Sequence, residues 1–226
     1  MLNLGEKLRA VRVSKNLSLR ELAARAEVSA SLLSQIENGK ANPSVRSLHS
    51  IADALSMPVD YFFPSGNSTE ARATADGELS PENLTPGELR AAQDANLIDD
   101  ADLGFDEKRP SKEPVVRALN RPTIDLLGGI TWERLTPGPE ENIEFLQICY
   151  EVGAKSGEKM SHHNGREFHY VLAGELLLEL GFERYLLQAG DSIIFDSTTP
   201  HRLSNGGTVP MRAITVIFGN RSGSTA

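Results

Sequence analysis

Between Leu17 and Lys40, apolar residues recur at helical spacing in two short runs. Ser18 stands three residues before Glu21, a capping-box pattern that starts a helix. Leu22, Ala23 and Ala26 give that helix an apolar face. Val28 suits a turn residue tucked between two helices, and Ser29 caps the second. There Leu33 and Ile36 share one face, while Ala30, Ser31, Ser34, Gln35 and Asn38 share a small, polar one. From Thr131 the period changes to two. Residues 144–152, 168–172, 176–180, 185–187, 192–195 and 211–218 read as strands, separated by glycine-bearing turns. Many short strands with such punctuation predict a β-sandwich or barrel. Residues 65–115 follow neither period. They are rich in Gly, Pro, Ser, Asp and Glu and hold one aromatic, Phe105, which predicts a linker. Residues 88–96 could form a helical turn or two inside it. A flexible coil of about 50 residues spans ~40 Å, so the first domain is expected to be loosely tethered.

Charge changes how the first domain reads. The chain carries −8, but residues 1–64 carry +2, residues 65–115 carry −7 and residues 116–226 carry −3. The acid lies outside the helical domain, so a nucleic-acid partner is not excluded. No apolar run approaches the ~20 residues of a membrane span. Glu6, Lys7 and Arg9 interrupt any signal-like segment, and the single cysteine, Cys149, excludes an intrachain disulfide. A cytoplasmic protein is expected. Cys149 lies in an apolar strand and is expected in the core.

The stretch Ser34-Gln35-Ile36-Glu37-Asn38-Gly39-Lys40, with the paired helices before it, resembles the phage-repressor-like helix-turn-helix domains of the XRE family. The resemblance covers Leu4 to about Phe62 and implies an all-α, lambda-repressor-like domain of five helices. Leu4, Leu8 and Val11 would face inward on the first helix. Leu48, Ile51, Ala52 and Leu55 would do so on a fourth that opens at Pro43-Ser44, and Pro58 would start a short fifth. The family usually places Gly in the turn; here Glu27 occupies it. The resemblance implies a double-stranded DNA operator as partner. Arg20, Ser29, Ala30, Ser31, Ser34, Gln35, Asn38 and Lys40 are the candidate contacts, with Arg20 and Lys40 on phosphate. One recognition helix reads few base pairs, so a homodimer on an inverted repeat is expected, joined through the barrel.

Four of the five histidines fall in the second domain: His162, His163, His169 and His201. Glu167 follows His163 by four, Gly174 follows Glu167 by seven, and Gly190 and Pro200-His201 come later. These segments resemble the paired motifs of a cupin, an all-β double-stranded β-helix barrel. The whole chain resembles bacterial XRE-cupin transcriptional regulators. The expected division is residues 1–64 helix-turn-helix, 65–115 acidic linker, 116–221 cupin and 222–226 tail. In metal-binding cupins the first motif supplies two histidines and a glutamate, the second one histidine. Here Ser161 stands at the first histidine position, leaving His163, Glu167 and His201. Such a facial set suits Fe(II), and Zn, Ni or Mn could also sit there. His169 shares strand parity with Glu167, so it should face the interior as an auxiliary ligand or, with Ser161, part of an effector pocket. His162 should point away. His49 reads as a surface or half-buried histidine of the fourth helix, and Trp132, Tyr150 and Phe195 as core.

Two functions compete. The first is a sequence-specific DNA-binding transcriptional regulator whose cupin senses a small-molecule effector, a metal, or both. The second is a mononuclear iron oxidase resembling hydroxypropylphosphonate epoxidase, which also joins a helix-turn-helix to a cupin. The polar recognition face favours the regulator, and no catalytic residues are assigned. There is no Gly-rich phosphate loop, Cys-x-x-Cys pair or nucleophile elbow.

Overall fold

Each turn of the helical half is set by a cap. In a computed structural model describing residues 3–64, 114–140 and 142–219, Asn3, Ser18, Ser29 and Ser44 each accept a backbone N–H with the side chain. They start α1 (Leu4–Ser14), α2 (Leu19–Arg25), α3 (Ala30–Glu37) and α4 (Val45–Ala54). Asn3 and Ser18 form full capping boxes with Glu6 and Glu21. The expected fifth helix is a short 3₁₀ turn, Val59–Phe62, after Pro58. Leu8, Leu22, Leu33, Leu48, Ile51 and Leu55 are fully buried among these elements. Glu27 adopts φ +53°, the left-handed conformation that the turn requires. A Cβ on Gly5 would overlap the Ile36 carbonyl, so α1 lies hard against the end of α3. Arg12 locks the same junction. Its Nε and Nη2 donate to the two Glu37 oxygens at 2.6 and 2.9 Å.

The second half is all β. Its strands are β1 (Thr123–Leu126), β2 (Ile130–Arg134), β3 (Ile143–Tyr150), β4 (Arg166–Ala173), β5 (Glu175–Leu180), β6 (Glu183–Gln188), β7 (Ser192–Asp196), β8 (His201–Asn205) and β9 (Met211–Phe218). Six form one sheet in the order β1-β2-β3-β9-β4-β7; the others form β6-β5-β8. The pairs β1–β2, β2–β3, β3–β9, β4–β9, β4–β7, β5–β6 and β5–β8 are all antiparallel. Alternation sends Leu146, Ile148 and Tyr150 of β3 inward with Met211, Ala213, Thr215 and Ile217 of β9. Cys149 has the opposite parity and is half-buried on the outer side, not in the core. Three strands, β1, β2 and β8, were not expected. All are short, and β8 holds Arg202, Ser204 and Asn205 among its five residues.

The expected loose tether gives way to direct packing of the two halves. Residues 65–113, including 88–96 and Phe105, lie outside the described residues. Leu127 N–H donates to the Pro43 carbonyl at 2.9 Å. Asp60 is buried between the halves. Its carboxylate accepts from Glu140 N–H at 3.1 Å and lies 3.6 Å from Arg134 Nη1. The Arg134 guanidinium also covers the Phe63 ring. The buried apolar residues of both halves run together into one cluster. Sequence pattern could not show this docking, because each surface reads as ordinary on its own.

Burial pushes the Asp60 carboxyl up to about 6 from its ordinary 3.8, against the pull of Arg134. Its folded value is raised, so its contribution to stability is full below pH ~4. That contribution is lost as pH rises through about 6. Asp60→Asn should therefore gain on the wild type between pH 4 and pH 7, by on the order of 2–3 kcal/mol in unfolding free energy. Denaturant titrations across that range check this; a difference that does not change with pH would show that Asp60 does not titrate there.

Candidate functional site

The polar face of α3 and the histidine cluster are built from separate elements. On α2 and α3, Arg20, Ser29, Ser31, Gln35, Asn38 and Lys40 are exposed, while Ala30 and Ser34 are half-buried. Two of these side chains serve the helix itself. Ser29 Oγ accepts from Leu32 N–H at 3.0 Å, and Asn38 Nδ2 donates to the Ser34 carbonyl at 2.7 Å. Ser31 and Gln35, four residues apart, lie on one exposed side of α3, with Arg20 on α2 and Lys40 just past the end of α3. Gly39, at φ +65°, allows the chain to leave the helix where Lys40 N–H bonds to the Gln35 carbonyl.

The second cluster has a carboxylate at its centre. Strand parity turns Glu167 and His169 of β4 inward, and Arg166, Phe168 and Tyr170 outward. His201 opens β8. His163 sits in the loop before β4, held by its N–H on the Ser197 carbonyl at 3.0 Å. His162 is exposed, as parity suggested. Glu167 Oε1 meets His163 Nε2 at 2.8 Å and His201 Nε2 at 3.1 Å. Its other oxygen meets His169 Nε2 at 2.9 Å. Ser161 pairs with His201 backbone to backbone, at 2.9 and 2.8 Å, and lines the same cavity.

The far nitrogens fix the ring chemistry. His163 Nδ1 contacts the Asn164 carbonyl at 3.0 Å, and His201 Nδ1 contacts the Thr199 carbonyl at 2.9 Å. A carbonyl only accepts, so each Nδ1 carries hydrogen and each Nε2 faces Glu167 Oε1. A bare Nε2 would aim a lone pair at a carboxylate oxygen. Protons on both rings relieve that, and so does one cation between the three atoms. Two protons or one divalent ion leave the same net charge. His169 differs. Its Nδ1 meets Thr215 Oγ1 at 2.9 Å, and a hydroxyl can donate, so a neutral ring can donate to Glu167 and accept from Thr215. His169 thus positions the carboxylate from its far side. The Glu167 donor set comprises His163, Glu167 and His201, with ligand atoms within 4.8 Å of one another. Divalent ions bond such donors at ~2.0–2.2 Å, so two bonds at a right angle set donors ~3 Å apart. The 2.8 and 3.1 Å separations fit that arrangement.

Burial alone would raise the Glu167 carboxyl, but hydrogen bonds from His163, His169 and His201 hold it well below the usual carboxylate range. Burial works against charge on His163, yet its hydrogen bond to Glu167 leaves that imidazole raised overall. Sequence reasoning missed three residues here. Thr215 orients His169. Trp132 and His49 line the cavity, and His49 comes from α4 of the helical half. Its ring stacks on His163 at 4.9 Å between centroids and 4° between planes, and meets Trp132 edge-on at 5.6 Å. Far from a surface histidine, it is buried, which pushes it down to about 3, with His163 adding to the effect. The one available signal was Val45 and His49 at i, i+4, beside the apolar face of α4.

A helix-turn-helix family model matches residues 8–62 and a cupin-domain model matches residues 146–217. The HTH-type transcriptional regulator PuuR of Escherichia coli is 22% identical over 204 residues, covering 89% of this chain and 86% of its own. A solved HTH_3 family transcriptional regulator from Vibrio cholerae has the same fold, with a TM-score of 0.56 at 20% identity, covering 95% of this chain and 94% of its own. The hydroxypropylphosphonic acid epoxidase of S. wedmorenis covers 95% of this chain and 96% of its own at 20% identity. Its TM-score is only 0.39, which carries no argument for catalysis. The chain joins an N-terminal XRE-type helix-turn-helix domain to a C-terminal cupin domain and is homologous to PuuR and other helix-turn-helix transcriptional regulators. It is a DNA-binding regulator rather than an enzyme. Its cupin holds a His/Glu cluster compatible with a metal ion. No helix among the described residues is long and apolar enough to cross a membrane.

Glu167→Ala should lower the unfolding free energy by ~3 kcal/mol or more, since it strips a buried ionic cluster of its one anion. Chemical denaturation at pH 6 measures this. A loss under ~1 kcal/mol would mean the imidazoles reorganise without cost.

Proposed function

We propose that the protein binds an inverted-repeat operator as a homodimer and that occupancy of the cupin cavity, by a divalent metal and a small-molecule effector, sets how the two helical domains are presented. One observation supports the reading above all: an exposed polar recognition face and a buried metal-type donor set belong to halves that touch. Ser31, Ser34 and Gln35 read base edges; Arg20 and Lys40 hold phosphates; Ser29, Ala30 and Asn38 shape the close approach of α3. A DNA partner fits a cytoplasmic protein. His163, Glu167 and His201 hold the metal, and Fe, Zn, Ni and Mn all suit two imidazoles and a carboxylate. Ser161 lines the position left for an effector beside His169. When bound, the ion supplies an open coordination position that an acceptor group can take.

The dimer joins through the outer face of the six-stranded sheet. There Phe145, Val216, Phe168 and Ile194 stand in register across four strands, and Ile214 and Tyr170 continue the band. Phe145, Phe168 and Ile194 are each more than a third exposed. An apolar band of that kind on a regulator that needs two-fold symmetry suits a second copy of the same chain.

Three outcomes check these assignments. Operator sequences come from selecting bound DNA in a random pool. On the selected site Gln35→Ala should cost ~1–3 kcal/mol and relax one base position, while Lys40→Ala should weaken all sequences alike and lower the salt slope by ~1. Unchanged affinity and selectivity in Gln35→Ala would refute the docking. Phe168→Asp should turn a dimer into a monomer in sedimentation velocity; a dimer that survives places the contact elsewhere. Calorimetric titration with Zn, Fe(II), Ni and Mn under reducing conditions should give about one ion per chain. His163→Ala and His201→Ala should abolish binding, and a wild type that binds none would leave a barrel whose histidines only hydrogen-bond.

A further inference from the structure

The cavity at Glu167 is not made by the barrel alone. Val45 and His49 of α4 close it from the helical half, while Trp132, Leu146 and Tyr150 wall it from the barrel. Two buried ring nitrogens there, His49 Nδ1 and Trp132 Nε1, have no hydrogen-bond partner among the described residues. His49 is 8% exposed and Trp132 4%, so water on the surface does not satisfy them. An indole N–H only donates, so its partner must be an acceptor. Two protons on His163 and His201, or one divalent ion in their place, outweigh the single Glu167 charge and favour an anion. The space open to the centres of water-sized groups is about 30 Å³, roughly two to three times the ~10–15 Å³ that one water needs. A carboxylate head fits that room; a carboxylate with an alkyl tail exceeds it. The barrel walls are packed core, with Leu146 and Tyr150 each 1% exposed. On the side of the helical half His49 stands in the way of a tail, its ring stacked on His163 instead of bonding to it.

We propose that the cavity is a composite effector site for a small carboxylate, held by Trp132 Nε1–H above His163 and His201, and that His49 is its lid, so a carboxylate with a tail binds only as α4 lifts away. The inference rests on the cavity being the sensing site, and it names the effector class and the route by which the helical domain feels it. Lifting α4 moves the helix that follows the recognition helix α3. Docking and effector binding then compete for one space, and each weakens the other by the same factor.

The chain has one tryptophan, and it lies in this wall, so intrinsic fluorescence reports the site directly. Full-length protein is titrated with sodium formate and with sodium butyrate at constant ionic strength, with and without Zn²⁺. The wild type should bind formate at least about tenfold more tightly than butyrate, since the tail must displace a packed ring. Butyrate, and not formate, should shift Trp132 emission to the red as α4 leaves. His49→Ala should bring the two affinities to within about twofold by opening the roof. His49→Phe refills the roof and should restore the wild-type preference, which keeps the test sound if the alanine variant folds poorly. The same preference in all three proteins, or no saturable response of the wild type to formate, would overturn the proposal. Zinc measured by calorimetry separates the two readings. A carboxylate response without zinc binding removes the metal alone, and zinc binding without a carboxylate response removes the lid alone.

Discussion

Burying a carboxylate at the centre of a barrel is costly unless the charge is answered at close range, and Glu167 is answered by three imidazoles. Much of the second domain can be traced to that requirement. Strand parity on β4 brings Glu167 and His169 inward together. The pairing of Ser161 with His201 and of His163 with Ser197 carries two further rings to the same oxygen. Thr215 on β9 and the carbonyls of Asn164 and Thr199 then fix each ring by its outer nitrogen. Such outer contacts are what hold metal ligands in place in general, and here they belong to the protein itself.

The helical domain adds a second constraint. His49 lies on the imidazole nearest to it, and its own nitrogen finds no partner there. Around it, among the described residues, the docking uses a backbone hydrogen bond from Leu127, Asp60 held by Glu140 N–H and Arg134, the Arg134 guanidinium over Phe63, and one apolar cluster shared by both halves. The physical link between cavity and DNA-binding face is therefore short. It passes from His163 to His49, along α4, and through the core shared with α3.

Much was legible in the sequence because it was local. Ser18, Ser29 and Ser44 cap helices through their own next turns, and Glu27 takes the left-handed turn that its position demands. His163, Glu167 and His201 were singled out by the resemblance to paired cupin motifs, and the fold brings the three side chains together. The illegible parts are those where distant segments meet. His49 and Trp132 are 83 residues apart with an acidic segment between them, and neither looks unusual among its neighbours. Cys149 sits in an apolar run yet has outward parity, which only the register of β3 against β9 decides. The strand β8 was hidden because two of its three inward positions are polar: His201 belongs to the site, and Asn205 Nδ2 ties the Tyr150 and Val209 carbonyls.

The central claim is that the state of the barrel cavity governs DNA binding. The direct measurement is the affinity of the full chain for its selected operator at fixed salt, with Zn²⁺ present and with Zn²⁺ removed by a chelator. Differential stabilisation of two domain arrangements by 1–3 kcal/mol would change operator affinity by roughly 5–150-fold in the wild type. The same titration on His201→Ala should show no change with zinc. Equal wild-type affinities in the two conditions, with zinc shown to be bound in one of them, would contradict the account.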